Sequence, residues 1–185
     1  MIAIKALTLL ALTVAVPVPG EAGPSHLASA CFSAAAWNWP ARTSLDVCTA
    51  ALRDRSLTPR ERGATLVNRG IVAYHARKFG AAIADYDAAL AVVPGLTEAL
   101  IDKGVALVEA GRDAEAVPVL TAAIAEAPPR LEVALYARAM ANETIGATRA
   151  AYDDYSRAAA LAPDWDAPAE QLRRFSVVRR PTARG

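Results

Sequence analysis

Two histidines and two cysteines are all that this 185-residue chain offers of the side chains that most often hold transition metals. A site needs three or four such ligands at close spacing, and His26, His75, Cys31 and Cys48 supply no such cluster. No metal is expected. The sequence also lacks a phosphate-cradling glycine loop and a G-x-S-x-G turn, and neither histidine has a nucleophile and an orienting group at motif spacing. Neither a cofactor nor a catalytic centre follows from these residues, so the chain does not read as an enzyme. Net charge is low too, +1 from 20 basic and 19 acidic residues. That balance lacks the positive field by which nucleic acid is held. Aromatics amount to only 6% while apolar residues reach 54%, much of it alanine. Small side chains in such number favour closely packed helices over a sheet sandwich.

Long apolar runs are missing but for one. In "MIAIKALTLLALTVAV" a single lysine precedes an uncharged stretch from Ala6 to Val16. That is the length of a signal-peptide core and too short to cross a bilayer. Small residues suited to cleavage follow at Gly20 and Ala22, and again at Ala28 and Ala30. Residues 1–22 are therefore expected to be a signal peptide, with cleavage somewhere within 20–30. The mature chain would be exported to the periplasm or secreted, with no membrane span of its own. In an oxidising compartment an even cysteine count points to a disulfide between Cys31 and Cys48. The alternative is that "LASAC", ending at Cys31, is a lipoprotein signal, although that cysteine lies far from the apolar run.

What the chain does have is repetition. Gly104 follows Gly70 by 34 residues, and Pro128 follows Pro94 by the same step. Ala82 and Ala116, Tyr86 and Leu120, and Ala89 and Ala123 share it. A third copy, Ala139, Ala151, Tyr155, Ala158 and Pro163, follows at a step of 35. The glycine-to-proline interval is constant, so the extra residue falls in the "PPR" turn between Pro128 and Ala139.

This pattern resembles the tetratricopeptide repeat, a helix–turn–helix unit of about 34 residues. The matching columns are Leu66/Leu100/Leu135, Gly70/Gly104/Ala139, Ala82/Ala116/Ala151, Tyr86/Leu120/Tyr155, Ala89/Ala123/Ala158 and Pro94/Pro128/Pro163. Two departures recur. Arg69, Lys103 and Arg138 stand where the pattern has leucine, and Ala73, Leu107 and Asn142 where it has an aromatic. The resemblance implies an all-α solenoid of stacked helix pairs: repeats at 63–96, 97–130 and 132–165, an N-terminal capping pair at 27–58, a capping helix at 166–178 and a disordered tail at 179–185.

In such a unit the first helix must let a bulky side chain of the second approach its backbone. Gly70 would face Tyr86, Gly104 would face Leu120 and Ala139 would face Tyr155. A glycine inside a helix costs about 1 kcal/mol relative to alanine, and packing outweighs it. Asp85 and Asp154, each 16 residues after Arg69 and Arg138, are expected to pair with them; Val119 leaves Lys103 to another partner or to solvent. The same register sets Cys48 in the column of Tyr86 and Cys31 beside the facing position, which supports the disulfide.

The family's first helices line a concave groove for segments of other proteins. Here that face would carry Val67, Ile71, Tyr74 and His75, then Ile101, Val105, Val108 and Glu109, then Tyr136 and Met140. The family's clamp for a terminal carboxylate needs lysine, arginine and asparagine, whereas Val67, Ile71, Asp102, Val133 and Ala137 occupy the corresponding places. The resemblance thus implies a noncatalytic interaction module or adaptor in the cell envelope, holding an apolar segment of another protein. The alternatives are an accessory subunit that stabilises an enzyme complex, and a lipid-anchored envelope protein.

Overall fold

The structure, a computed structural model, describes residues 25–37 and 40–175. The expected signal segment, residues 38 and 39, and the chain from 176 onward with the expected tail at 179–185 lie outside the described residues. Among the described residues there are nine helices and no strand. They are α1 (His26–Ala36), α2 (Ala41–Ala51), α3 (Pro59–His75), α4 (Phe79–Val92), α5 (Thr97–Glu109), α6 (Asp113–Ala125), α7 (Leu131–Thr144), α8 (Thr148–Leu161) and α9 (Asp166–Leu172). Each helix packs on the next, and α1, α3, α5 and α7 also lie side by side. The architecture is all-α: successive helix pairs stacked in chain order.

Local chemistry sets where the pairs begin and turn. Pro59 opens α3, and Thr58 caps it in a reciprocal box: the Glu61 amide donates to Thr58 Oγ1 (3.2 Å) and the Thr58 amide to Glu61 Oε2 (2.8 Å). Within each repeat the first helix ends in the same way. The amides of Lys78, Arg112 and Ala147 donate to the carbonyls of Ala73, Leu107 and Asn142 at 2.9, 2.8 and 2.7 Å. Such a cap needs a left-handed residue just before that amide. Gly111 (φ 70°) and Gly146 (φ 82°) fill that place in the second and third repeats, and Arg77 (φ 58°) fills it in the first.

Helix pairs close because small meets large. A methyl group built on Gly70 would lie 2.5 Å from Tyr86 Cε1, and one on Gly104 would be still tighter against Leu120. Tyr86, Leu120 and Tyr155 are all fully buried, as is Ala139. Polar pairs tie the same helices. The Arg69 guanidinium grips Asp85 through two hydrogen bonds (2.9 and 2.5 Å), and Arg138 grips Asp154 through two of 2.8 Å. Each arginine also reaches back to the preceding second helix, Arg69 to Thr49 Oγ1 (3.4 Å) and Arg138 to Thr121 Oγ1 (2.9 Å). Lys103 instead pairs with Asp87 on that preceding helix, at 2.5 Å.

The two ends are finished differently. A disulfide joins Cys31 of α1 to Cys48 of α2, both fully buried. At the far end the Trp165 ring packs at a tilt against Tyr136, centroids 4.7 Å apart, while Leu172 and Phe175 rest on the core and Arg173 and Arg174 point outward. Helix α9 stops at Leu172, with Arg173 and Arg174 in a turn, rather than running on through 175.

Candidate binding face

The side chains expected to line the groove come from α3, α5 and α7, and the structure brings them onto one side. It does not leave them open. Val67, Ile71, Tyr74, Ile101, Val105, Val108 and Tyr136 are buried in one continuous apolar core; only His75, Glu109 and Met140 are half-buried. An apolar groove free to solvent was the expectation, and the described array has a core wall with a polar rim. The reason is physical. First helices lie against one another, α3 on α5 and α5 on α7, and apolar surface facing between them is withdrawn from water.

Polar groups inside that wall are less easily accounted for. Both amide atoms of Asn68, the hydroxyls of Tyr74 and Tyr86, Oδ2 of Asp102 and Oε1 of Glu109 are buried with no hydrogen-bonding partner among the described residues. Each such orphan costs about 1–3 kcal/mol. Asp102 is fully buried and holds one charge-assisted bond, from Arg130 Nη2 at 2.6 Å. Arg130 keeps Nε and Nη1 unpaired. Burial raises the Asp102 carboxyl to about 6 even though the guanidinium beside it pulls the other way. Burial also lifts the Tyr74 hydroxyl well above the ordinary range, reinforced by the negative charges of Glu109 and Asp102. It lifts Tyr86 as well, with Asp102 and Tyr74 adding to the effect. Glu109 is raised by burial and His75 lowered by it. Arg77 approaches Glu109 at only 4.0 Å, from an exposed position. These influences place Tyr74, Tyr86, Asp102, Glu109 and Arg130 in one electrostatic neighbourhood.

Sequence reasoning missed Arg130 and Asn68. A signal for Arg130 existed: the third copy is one residue late, and the added residue falls in the turn that carries this arginine. Asn68 and Asp102 follow Val67 and Ile101, polar side chains within apolar stretches of the first helices. Among the described residues no group of three or more histidines, cysteines or acids lies together, and no helix is long and apolar enough to cross a membrane. Cys31 is engaged in the disulfide and holds no free thiol.

By structure the chain is similar to MamA, a tetratricopeptide-repeat protein. Residues 41–end of MamA from Desulfovibrio magneticus RS-1 match with a TM-score of 0.69 and 20% sequence identity, over 81% of this chain and 84% of that one. A structure described as the MamA RS-1 ArsTM double mutant matches with a TM-score of 0.68 at the same identity, over 81% and 83%. At that identity the likeness is one of fold. No family model matches the chain, and no curated protein matches it by sequence.

Proposed function

We propose, from a fold shared with stacked-repeat proteins, that this chain is a noncatalytic module that holds a segment of another protein against its first helices. Arrays of this kind present extended surfaces, and their helices supply contacts in place of a reaction centre. What supports the reading is the rim of the first helices, where His75, Glu109 and Met140 are half-buried beside the apolar wall. A bound polypeptide has main-chain N–H and C=O groups able to pair with the rim side chains of His75 and Glu109, beside apolar side chains that suit Met140. His75, Glu109 and Met140, the half-buried members, are where contact starts.

The disulfide supports an oxidising compartment, in line with the apolar N-terminal run. With Cys31 bridged, the lipid-anchored alternative loses its attachment point. Processing near Gly20 or Ala22 leaves α1 whole, whereas cleavage after Ala30 would remove its first half, including the fully buried Ala28.

Photo-crosslinking tests the site. A photoreactive residue at Met140 or His75 is expected to capture a polypeptide partner from an envelope extract, and one at the outward-facing Arg149 is not. Equal capture from all three positions would remove the first-helix face from consideration.

A further inference from the structure

Furrows run between successive second helices, each floored by the first helix between them. In two of them an arginine closes the gap. Arg69 spans from Asp85 on α4 to Thr49 on α2, and Arg138 spans from Asp154 on α8 to Thr121 on α6. The middle furrow, between α4 and α6, is built differently. Its cation is the shorter Lys103, and the α6 residue in the aspartate column is Val119. Lys103 therefore leans onto Asp87 of α4 and leaves the α6 side unbridged. A cavity of about 400 Å³ lies there, with Ile83, Leu107, Pro118 and Val119 as its apolar lining and Lys103 and Arg112 among its charged residues.

The charges in this cavity are not symmetrically placed. Lys103 is 21% exposed against 53% for its partner Asp87, and Arg112 is 44% exposed against 59% for its partner Glu115. Lys103 is the inner member of its pair, whereas Arg112 and Glu115 both lie exposed at the rim, joined by two hydrogen bonds of 2.7 and 2.6 Å. The inward cation is thus Lys103, beside an apolar wall, at a place where the neighbouring repeats carry an aspartate. We propose that this furrow binds an acidic side chain of a partner polypeptide. Its carboxylate takes the position that Asp85 and Asp154 fill in their own repeats and accepts from Lys103. An adjacent apolar residue of the partner lies on Leu107, Pro118 and Val119. Asp87 and Glu115 sit at the rim and retain water as a competing partner. This site is separate from the first-helix face.

The test is an NMR titration of the full chain with two probes, acetyl-Leu-Asp-Leu-amide and acetyl-Leu-Asn-Leu-amide. The aspartate probe is expected to give saturable shifts at Ile83, Lys103 and Val119, with the asparagine probe at least tenfold weaker. Val119→Asp, which supplies the carboxylate from α6 itself, and Lys103→Met are each expected to weaken the aspartate probe tenfold or more. Equal response to both probes, no saturable shift in the furrow, or wild-type binding by Val119→Asp overturns the proposal. Should Val119→Asp not fold, Lys103→Met decides alone. Neither substitution touches the cross-linking positions at His75 and Met140, so the two readings fail independently.

Discussion

At the scale of single residues the same amino acid plays opposite parts, and glycine makes the point. Gly70 and Gly104 are glycine because a tyrosine ring and a leucine side chain occupy the space of a methyl group. Gly80, in α4, is exposed and has nothing within 4 Å of its missing methyl. Gly80→Ala is expected to raise stability by about 0.5–1 kcal/mol through reduced backbone freedom. Gly70→Ala and Gly104→Ala gain the same propensity but overpack a closed interface, at a cost of about 1–3 kcal/mol, and are expected to lower it. Urea unfolding of the three variants checks the signs; a stabilised Gly70→Ala would refute the close-packing account. Asp102 gives a prediction with pH. Its carboxyl is raised from 3.8 to about 6, so between those values the folded chain holds a proton that the unfolded chain has lost. The contribution of this group to stability therefore falls as pH rises through that window, and above it the burial cost stands in full. At about 1.4 kcal/mol per unit the change is about 3 kcal/mol. Asp102→Asn has no such proton to lose. The stability difference between wild type and Asp102→Asn, measured at pH 4.5 and pH 7, is expected to move against wild type on going to pH 7.

Helices and their turns show how far the residues alone lead. The repeat step read from Gly70, Ala82, Tyr86, Ala89 and Pro94 is enough to set the helix pairs, because side-chain size at facing positions is a local property of the sequence. The Arg69–Asp85 and Arg138–Asp154 pairs were legible for the same reason: the two residues stand 16 apart across one turn. Partners from a neighbouring repeat were not. Lys103 finds Asp87 on the previous second helix, and Arg130 finds Asp102 across 28 residues, and no spacing within one unit reports either. The left-handed cap at Arg77 escaped notice because only Gly111 and Gly146 announce that position by residue type. Burial of the expected groove was illegible for a deeper reason. An apolar stripe on a helix looks alike whether it faces a ligand or the next helix, and only the stacking of α3, α5 and α7 decides.

On the scale of the whole molecule, each helix pair touches only its neighbours, and stability is then a sum of units and junctions in place of one indivisible core. The disulfide is the sharpest probe of that idea, because it lies wholly in the first pair. The bridged cysteines are 17 residues apart, and closing a loop of about that size contributes about 3 kcal/mol in the chain-entropy model. In a molecule with one cooperative core, its removal would weaken every helix alike. In a stack it loosens α1 and α2 and the side of α3 that meets them, and the effect fades along the array. Hydrogen exchange on a Cys31→Ala, Cys48→Ala variant separates the two cases. Amides of α1 and α2 are expected to exchange up to about a hundredfold faster, and those of α7 and α8 to stay within a factor of about two. A uniform acceleration through α8 would show that the pairs do not open separately. The middle furrow and the first-helix face would then answer to a single opening event, and a partner held at one would alter the other.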